Sequence, residues 1–162
     1  MFQTILTKDL ANKKINVERE FFAPLHLVWK AWTDHTILDK WWAPKPWRAE
    51  TKEMSFKPGG FWLYSMVGPD GNRMWAKANY HSINEFKNFT CQDNFCDENG
   101  APNSAAPSMF WNVTFQDLTV TTKVVVEITF EKESDLQKIV EMGFQEGFTM
   151  AHGNLDEVLG EI

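Results

Sequence analysis

Four histidines, two cysteines, two tyrosines and eight tryptophans are the side chains of this sequence best suited to chemistry or recognition. The histidines are scattered, with no HExxH, and neither they nor the cysteines fall at zinc-ligand spacing. No GxSxG, Walker pattern or glycine-rich phosphate loop occurs, so no catalytic residue, metal or cofactor is assigned. His26 and His35 read as solvated or capping residues near helix ends. His81 alternates with Trp75, Lys77 and Asn79 and so faces outward, unless a bulge before Ile83 turns it. His152 follows Phe148 by four residues and precedes Leu155 by three, at the edge of an apolar helical stripe. There a neutral imidazole can donate to a ligand carbonyl or accept from a hydroxyl; a structural bond to a strand side chain is the alternative. Cys91 and Cys96 are five apart in a strand, point to opposite faces and do not pair, which fits a reducing compartment.

Aromatic residues make up 14% of the chain, including thirteen Phe. That is more flat surface than a core of this size requires, so the excess either lines a cavity or faces a partner. Trp62 and Tyr64 share one face of a strand, with Phe61, Leu63 and Ser65 on the other. Met109, Trp111, Val113 and Phe115 form a purely apolar strand face that looks inward. Trp41 and Trp42 are adjacent and cannot point the same way, so one packs inward and the other flanks a mouth. With Phe148 these side chains are the candidate lining of a cavity, and Tyr64, Ser65, Asn112 and His152 are the polar groups proposed to orient a ligand. Complete filling of the same space by the rings is the competing outcome.

The elements that must position these residues follow from periodicity. Residues 1–13 read as a loose arm, and 14–162 as a single domain. Ile15, Val17, Arg19 and Phe21 alternate with charged neighbours, predicting a half-buried strand. Pro24 opens a short helix with the stripe Leu25, Val28, Trp29, Trp32, and His35–Trp42 gives a second, stopped by Pro44 and Pro46. Six strand runs follow, over 47–56, 61–67, 73–84, 88–96, 109–118 and 122–130. Ser134 is expected to cap a helix over 135–142, and Gly143 to permit a bend into a long amphipathic helix over 144–159. The expected fold class is α+β: a curved antiparallel sheet of about seven strands gripping one C-terminal helix.

A chain of 162 residues and 18.8 kDa can bury a core without staples. Its formal charge of −6 repels phosphate backbones, which argues against a nucleic-acid partner. No run reaches membrane-spanning length and the first residues lack a signal-peptide pattern, so a soluble cytoplasmic protein is expected.

Several local signatures resemble the Hsp-90 ATPase activator homologue family, within the START-like (SRPBCC) superfamily of helix-grip folds. They are Phe22-Ala23-Pro24, the segment from Val28 to Asp34, Trp41-Trp42 with Pro44, Pro58-Gly59-Gly60 and the Gly68-Pro69-Asp70-Gly71 hairpin, then Tyr80 and Ile83. Gly143-Phe144 leading into Leu155, Val158 and Leu159 completes the likeness, which spans roughly 14–160. One departure is Leu118-Thr119-Val120-Thr121, where many relatives have a Gly-Thr turn. The resemblance implies a helix-grip domain from a group containing lipid and hormone carriers, polyketide cyclases and co-chaperone domains; fold alone does not choose among them.

The leading expectation is therefore a domain binding an apolar or aromatic small molecule between sheet and helix, without chemistry. A co-chaperone-like module acting on an Hsp-90-like chaperone is the first alternative, and a homodimer is a further possible assembly. A cyclase- or dehydratase-type enzyme using His152 with Tyr64 is the second alternative.

Overall fold

The computed structural model describes residues 2–162. Its elements run β1 (Ile5–Asp9), β2 (Lys14–Phe21), α1 (Leu25–Thr33), α2 (His35–Trp41), β3 (Arg48–Ser55), β4 (Phe61–Val67), β5 (Arg73–Asn84), β6 (Asn88–Cys96), β7 (Ser108–Asp117), β8 (Thr122–Thr129), α3 (Glu133–Glu141) and α4 (Phe144–Leu159). The eight strands form one antiparallel sheet in the order β1-β2-β8-β7-β6-β5-β4-β3. Strands β3 to β8 form a consecutive meander, and α1 and α2 carry the chain from β2 at one end of the sheet to β3 at the other. This is the helix-grip arrangement, with one strand more than expected.

The extra strand corrects the reading of the first thirteen residues as a loose arm. Ile5–Asp9 pairs with Lys14–Glu18 across a tight turn. As an edge strand covered on one side only, it needs little apolar alternation, and its pattern is too short to show any. On β2 the alternation is exact to the residue: Ile15, Val17, Arg19 and Phe21 are buried and their neighbours are half-buried. The bulge before Ile83 is present as a register shift between Tyr80 and Ser82, and His81 lies exposed.

Turn chemistry sets the hairpins. Asp70 accepts the Asn72 backbone N–H at 3.0 Å while Gly71 takes a left-handed φ of 88°. At Gly60 a Cβ would lie 2.0 Å from the Ser55 carbonyl oxygen, so only glycine fits. Between α1 and α2, Asp34 caps the second helix by accepting the Thr36 N–H at 2.9 Å. The expected Ser134 cap is displaced: Lys132 is the N-cap of α3, without a side-chain bond, and Ser134 sits inside the first turn.

The core is continuous but uneven. The second half of α4 packs tightly, with Ala151, His152 and Leu155 at 1% exposure or less. Burying a side chain such as Leu155 contributes roughly 1.5–3 kcal/mol. The Arg19 guanidinium, 5% exposed, forms a two-pronged ion pair with Asp156 and lies 4.9 Å from the Phe21 ring centroid, locking this half of α4 to β2. A second solid region surrounds Trp29, whose ring meets Phe115 at 4.9 Å and Phe56, Phe86 and Phe89 at about 6 Å. The first half of α4, over the β4–β7 part of the sheet, is packed less completely.

Candidate functional site

A pocket of about 270 Å³ opens between the first half of α4 and the inner face of β4 to β7. Trp42, from the end of α2, and Trp111, from β7, form two of its sides, with ring centroids 5.9 Å apart. Phe144 and Phe148 descend from α4, and Phe148 lies 5.7 Å from Trp111. The sheet supplies Tyr64, Met66, Ala76 and Met109; α3 and its end supply Ile139 and Met142. Gly147 keeps α4 thin above the pocket: a Cβ there would find only the Pro44 ring, at 3.7 Å. A smaller inner chamber of about 20 Å³ shares part of this lining and is otherwise edged by Trp32, Trp62, Tyr80, Cys91 and Val113. Trp42, Trp111 and Asp93 border both spaces.

Asp93 is the polar exception in this lining. It follows Phe89 and Cys91 in the inward phase of β6 and is 7% exposed. Its Oδ1 has no hydrogen-bond partner. Removal from water pushes its carboxyl pKa up to about 7, with the Asn94 backbone N–H opposing the rise. No Lys, Arg or His borders either space among the described residues. The Trp32 and Trp111 indole N–H groups are also buried without partners.

Tyr64 is held in place by two contacts. Its hydroxyl accepts the Trp42 indole N–H at 3.0 Å, and its ring stacks on Trp62 at 3.9 Å. Burial, reinforced by the Asp93 carboxylate, raises the Tyr64 pKa well above the usual phenol value, so it stays protonated. Trp62 in turn donates to Thr51 Oγ1 at 2.9 Å, and that hydroxyl donates to Asp39 at 2.6 Å. The wall is thus anchored to β3 and α2.

The family model for Activator of Hsp90 ATPase homolog 1-like protein matches residues 22–160. The chain belongs to this family. A protein from Arthrobacter aurescens solved by solution NMR is 32% identical, with a TM-score of 0.91 over 98% of this chain and 92% of that one. The crystal structure of protein Ms6760 from Mycobacterium smegmatis is 29% identical, with a TM-score of 0.89 and 96% of each chain covered. The AHSA1 protein from Silicibacter pomeroyi, at 14% identity and a TM-score of 0.71 over 91% of this chain and 97% of that one, shares the fold. No protein of curated function matches the sequence significantly.

Within this Hsp-90 activator-like domain, the residues singled out from sequence divide into three groups. Trp42, Tyr64, Met109, Trp111 and Phe148 border the pocket, and Trp62 and Val113 border the inner chamber. Trp41 and Phe115 face inward but belong to solid core: Trp41 is 0% exposed and donates to the Ala31 carbonyl at 2.9 Å, while Phe115 packs on Trp29. The open choice between the adjacent tryptophans therefore falls to Trp42 as the pocket residue. Ser65, Asn112 and His152 do not reach the pocket. Ser65 points to the opposite sheet face, where its hydroxyl accepts from Arg73 at 3.0 Å. Asn112 shares that outer face with His81 and Glu127 and accepts from Asn88 at 3.1 Å. Strand alternation alone places both there once Tyr64 and Trp111 face in.

His152 lies behind Phe148, 4.3 Å from that ring, and is bonded through Nδ1 to Thr4 Oγ1 at 2.8 Å. Burial, aided by the Arg19 charge, lowers its pKa to about 3. Its neighbour across the core is Phe21 on β2, which four intervening strands separate from the β4 that carries Tyr64. The His152–Tyr64 pair is therefore not assembled. Asp93, which sequence reasoning passed over, had one visible signal: an acidic residue in the buried phase of the series Phe89, Cys91, Asp93, Phe95.

Proposed function

We propose that this protein binds a small, flat, mainly apolar molecule in the pocket between β4–β7 and the first half of α4. The lining of that pocket carries the reading: indole, phenyl and thioether surfaces that need no directional partner, around a space of about 270 Å³. Methionines 66, 109 and 142 add side chains that adapt to ligands of different outline. A cytoplasmic location accords with the two free thiols of Cys91 and Cys96. The test is a panel of bicyclic aromatic compounds scored by thermal unfolding. A ligand at about 100 times its dissociation constant adds roughly 2.7 kcal/mol, a rise of several degrees for a chain of this size. A flat response across the panel contradicts the reading.

A co-chaperone role is the second reading, favoured by exposed Phe22, Leu118 and Val120. Pairing of Phe21 with Thr122 puts Phe22 beside the turn that carries the other two. It predicts stimulation of an Hsp-90 ATPase that Phe22→Ser abolishes; no stimulation by the unaltered protein contradicts it.

A further inference from the structure

Three buried polar atoms without hydrogen-bond partners belong to residues that border one small space. Asp93 Oδ1 is an acceptor when the carboxyl is ionised, and the Trp32 and Trp111 Nε1–H groups are donors. All three residues border the inner chamber, whose volume of about 20 Å³ holds one water-sized group. Buried groups of this kind are seldom left unpaired, because each carries the full cost of its lost hydration.

The chemistry of a complementary group follows from counting. It must offer one donor to the carboxylate and two acceptor sites to the indoles, and it must be no larger than one heavy atom with its hydrogen. A hydroxyl has one O–H and two lone pairs. An ammonium satisfies the carboxylate but confronts two N–H donors, and a carboxylate or phosphate is repelled by Asp93. An ether oxygen serves the indoles alone.

We propose that the inner chamber is a hydroxyl subsite, so that the ligand class is a flat aromatic or alicyclic molecule bearing one terminal hydroxyl. The O–H enters between Asp93, Trp32 and Trp111, and the apolar body fills the outer pocket among Trp42, Phe144 and Phe148. This rests on the reading of the outer pocket as a small-molecule site and adds the headgroup to it. The bond to the Asp93 carboxylate is charge-assisted, which makes it the strongest of the three.

The experiment compares naphthol, methoxynaphthalene and methylnaphthalene by calorimetric titration at pH 8, where Asp93 is ionised and naphthol is not. Naphthol is expected to bind about tenfold or more tightly than methylnaphthalene, the difference typical of one hydrogen bond to a buried charge. Methoxynaphthalene is expected to lose that gain. Asp93→Leu, which swaps a buried carboxyl for an apolar group of similar size, should abolish the naphthol preference while methylnaphthalene still binds. Trp111→Phe should reduce the preference without abolishing it. Equal affinity for naphthol and methylnaphthalene, or a preference that survives Asp93→Leu, would overturn the hydroxyl assignment alone. Failure of all three compounds to bind would overturn the outer pocket reading and this assignment with it.

Discussion

Trp42 donates its indole N–H to the Tyr64 hydroxyl at 3.0 Å, tying the end of α2 to the middle of β4 at the rim of the pocket. Tyr64 is 2% exposed, so its hydroxyl is shielded from bulk water. Tyr64→Phe leaves the ring stack on Trp62 intact but strands the indole donor, and is expected to cost about 1–3 kcal/mol. Urea denaturation measures this; an unchanged midpoint would show that the bond contributes nothing.

Asp93 makes stability fall as pH rises. Its carboxyl titrates near 7 in the native state and near 4 when unfolded, so between those values the folded chain holds the proton more tightly. The penalty is absent below about pH 4 and complete above about pH 7, where three pKa units correspond to roughly 4 kcal/mol. Relative to Asp93→Leu, the unaltered protein should therefore lose about that much stability between pH 4 and pH 8. Parallel pH profiles for the two proteins would contradict the burial of an unpaired carboxylate.

His152 works in the opposite sense. Its imidazole is neutral in the native state down to about pH 3, whereas the unfolded residue takes a proton near 6.5. The unfolded state thus binds more protons in this window, and stability falls as pH drops from 6.5, by roughly 3 kcal/mol at pH 4. Relative to His152→Asn, the unaltered protein should lose about that much stability between pH 7 and pH 4, read from denaturation midpoints of both, because the opposite Asp93 slope is common to the two. Parallel profiles for the two proteins would contradict a neutral buried imidazole.

Thr119 occupies the β7–β8 turn with φ at 75°, a left-handed conformation that a β-branched residue adopts only under strain. Thr119→Gly should raise stability by about 1 kcal/mol, since the Asp117 carboxylate still accepts the backbone N–H of residue 119 at 2.8 Å. A drop in melting temperature would show that the threonine side chain makes a compensating contact.

The fold was largely legible because its signals are local. The Arg73–Asn84 and Asn88–Cys96 strands and the Phe144–Leu159 helix follow from alternation, turn residues and one glycine at φ 90°. The Ile5–Asp9 strand escaped notice because half of an edge strand faces water and its sequence carries no period. The apolar side of the pocket was also legible, since Trp111 and Met109 sit in an unbroken inward series. Its polar side was not. Ser65 and Asn112 have the hydrogen-bonding chemistry of orienting groups but alternation turns them outward, and His152 sits on the inward helical face but is bonded to Thr4, 148 residues away. Asp93 is hard to read as a pocket residue because a lone acidic residue usually marks the solvated face of a strand.

That a ligand enters between the first half of α4 and the sheet is tested most directly by NMR, following the indole N–H resonances during titration with methylnaphthalene. The resonances of Trp42 and Trp111, which border the pocket, should shift, while those of Trp29, enclosed by Phe rings, and Trp75, beneath Lys52, should not. Gly147→Leu, which extends a side chain from α4 at a position with only Pro44 nearby, should abolish the shifts while leaving the protein folded. Shifts confined to Trp75 or other outer-face residues, or undiminished shifts in Gly147→Leu, would contradict a binding site at this place.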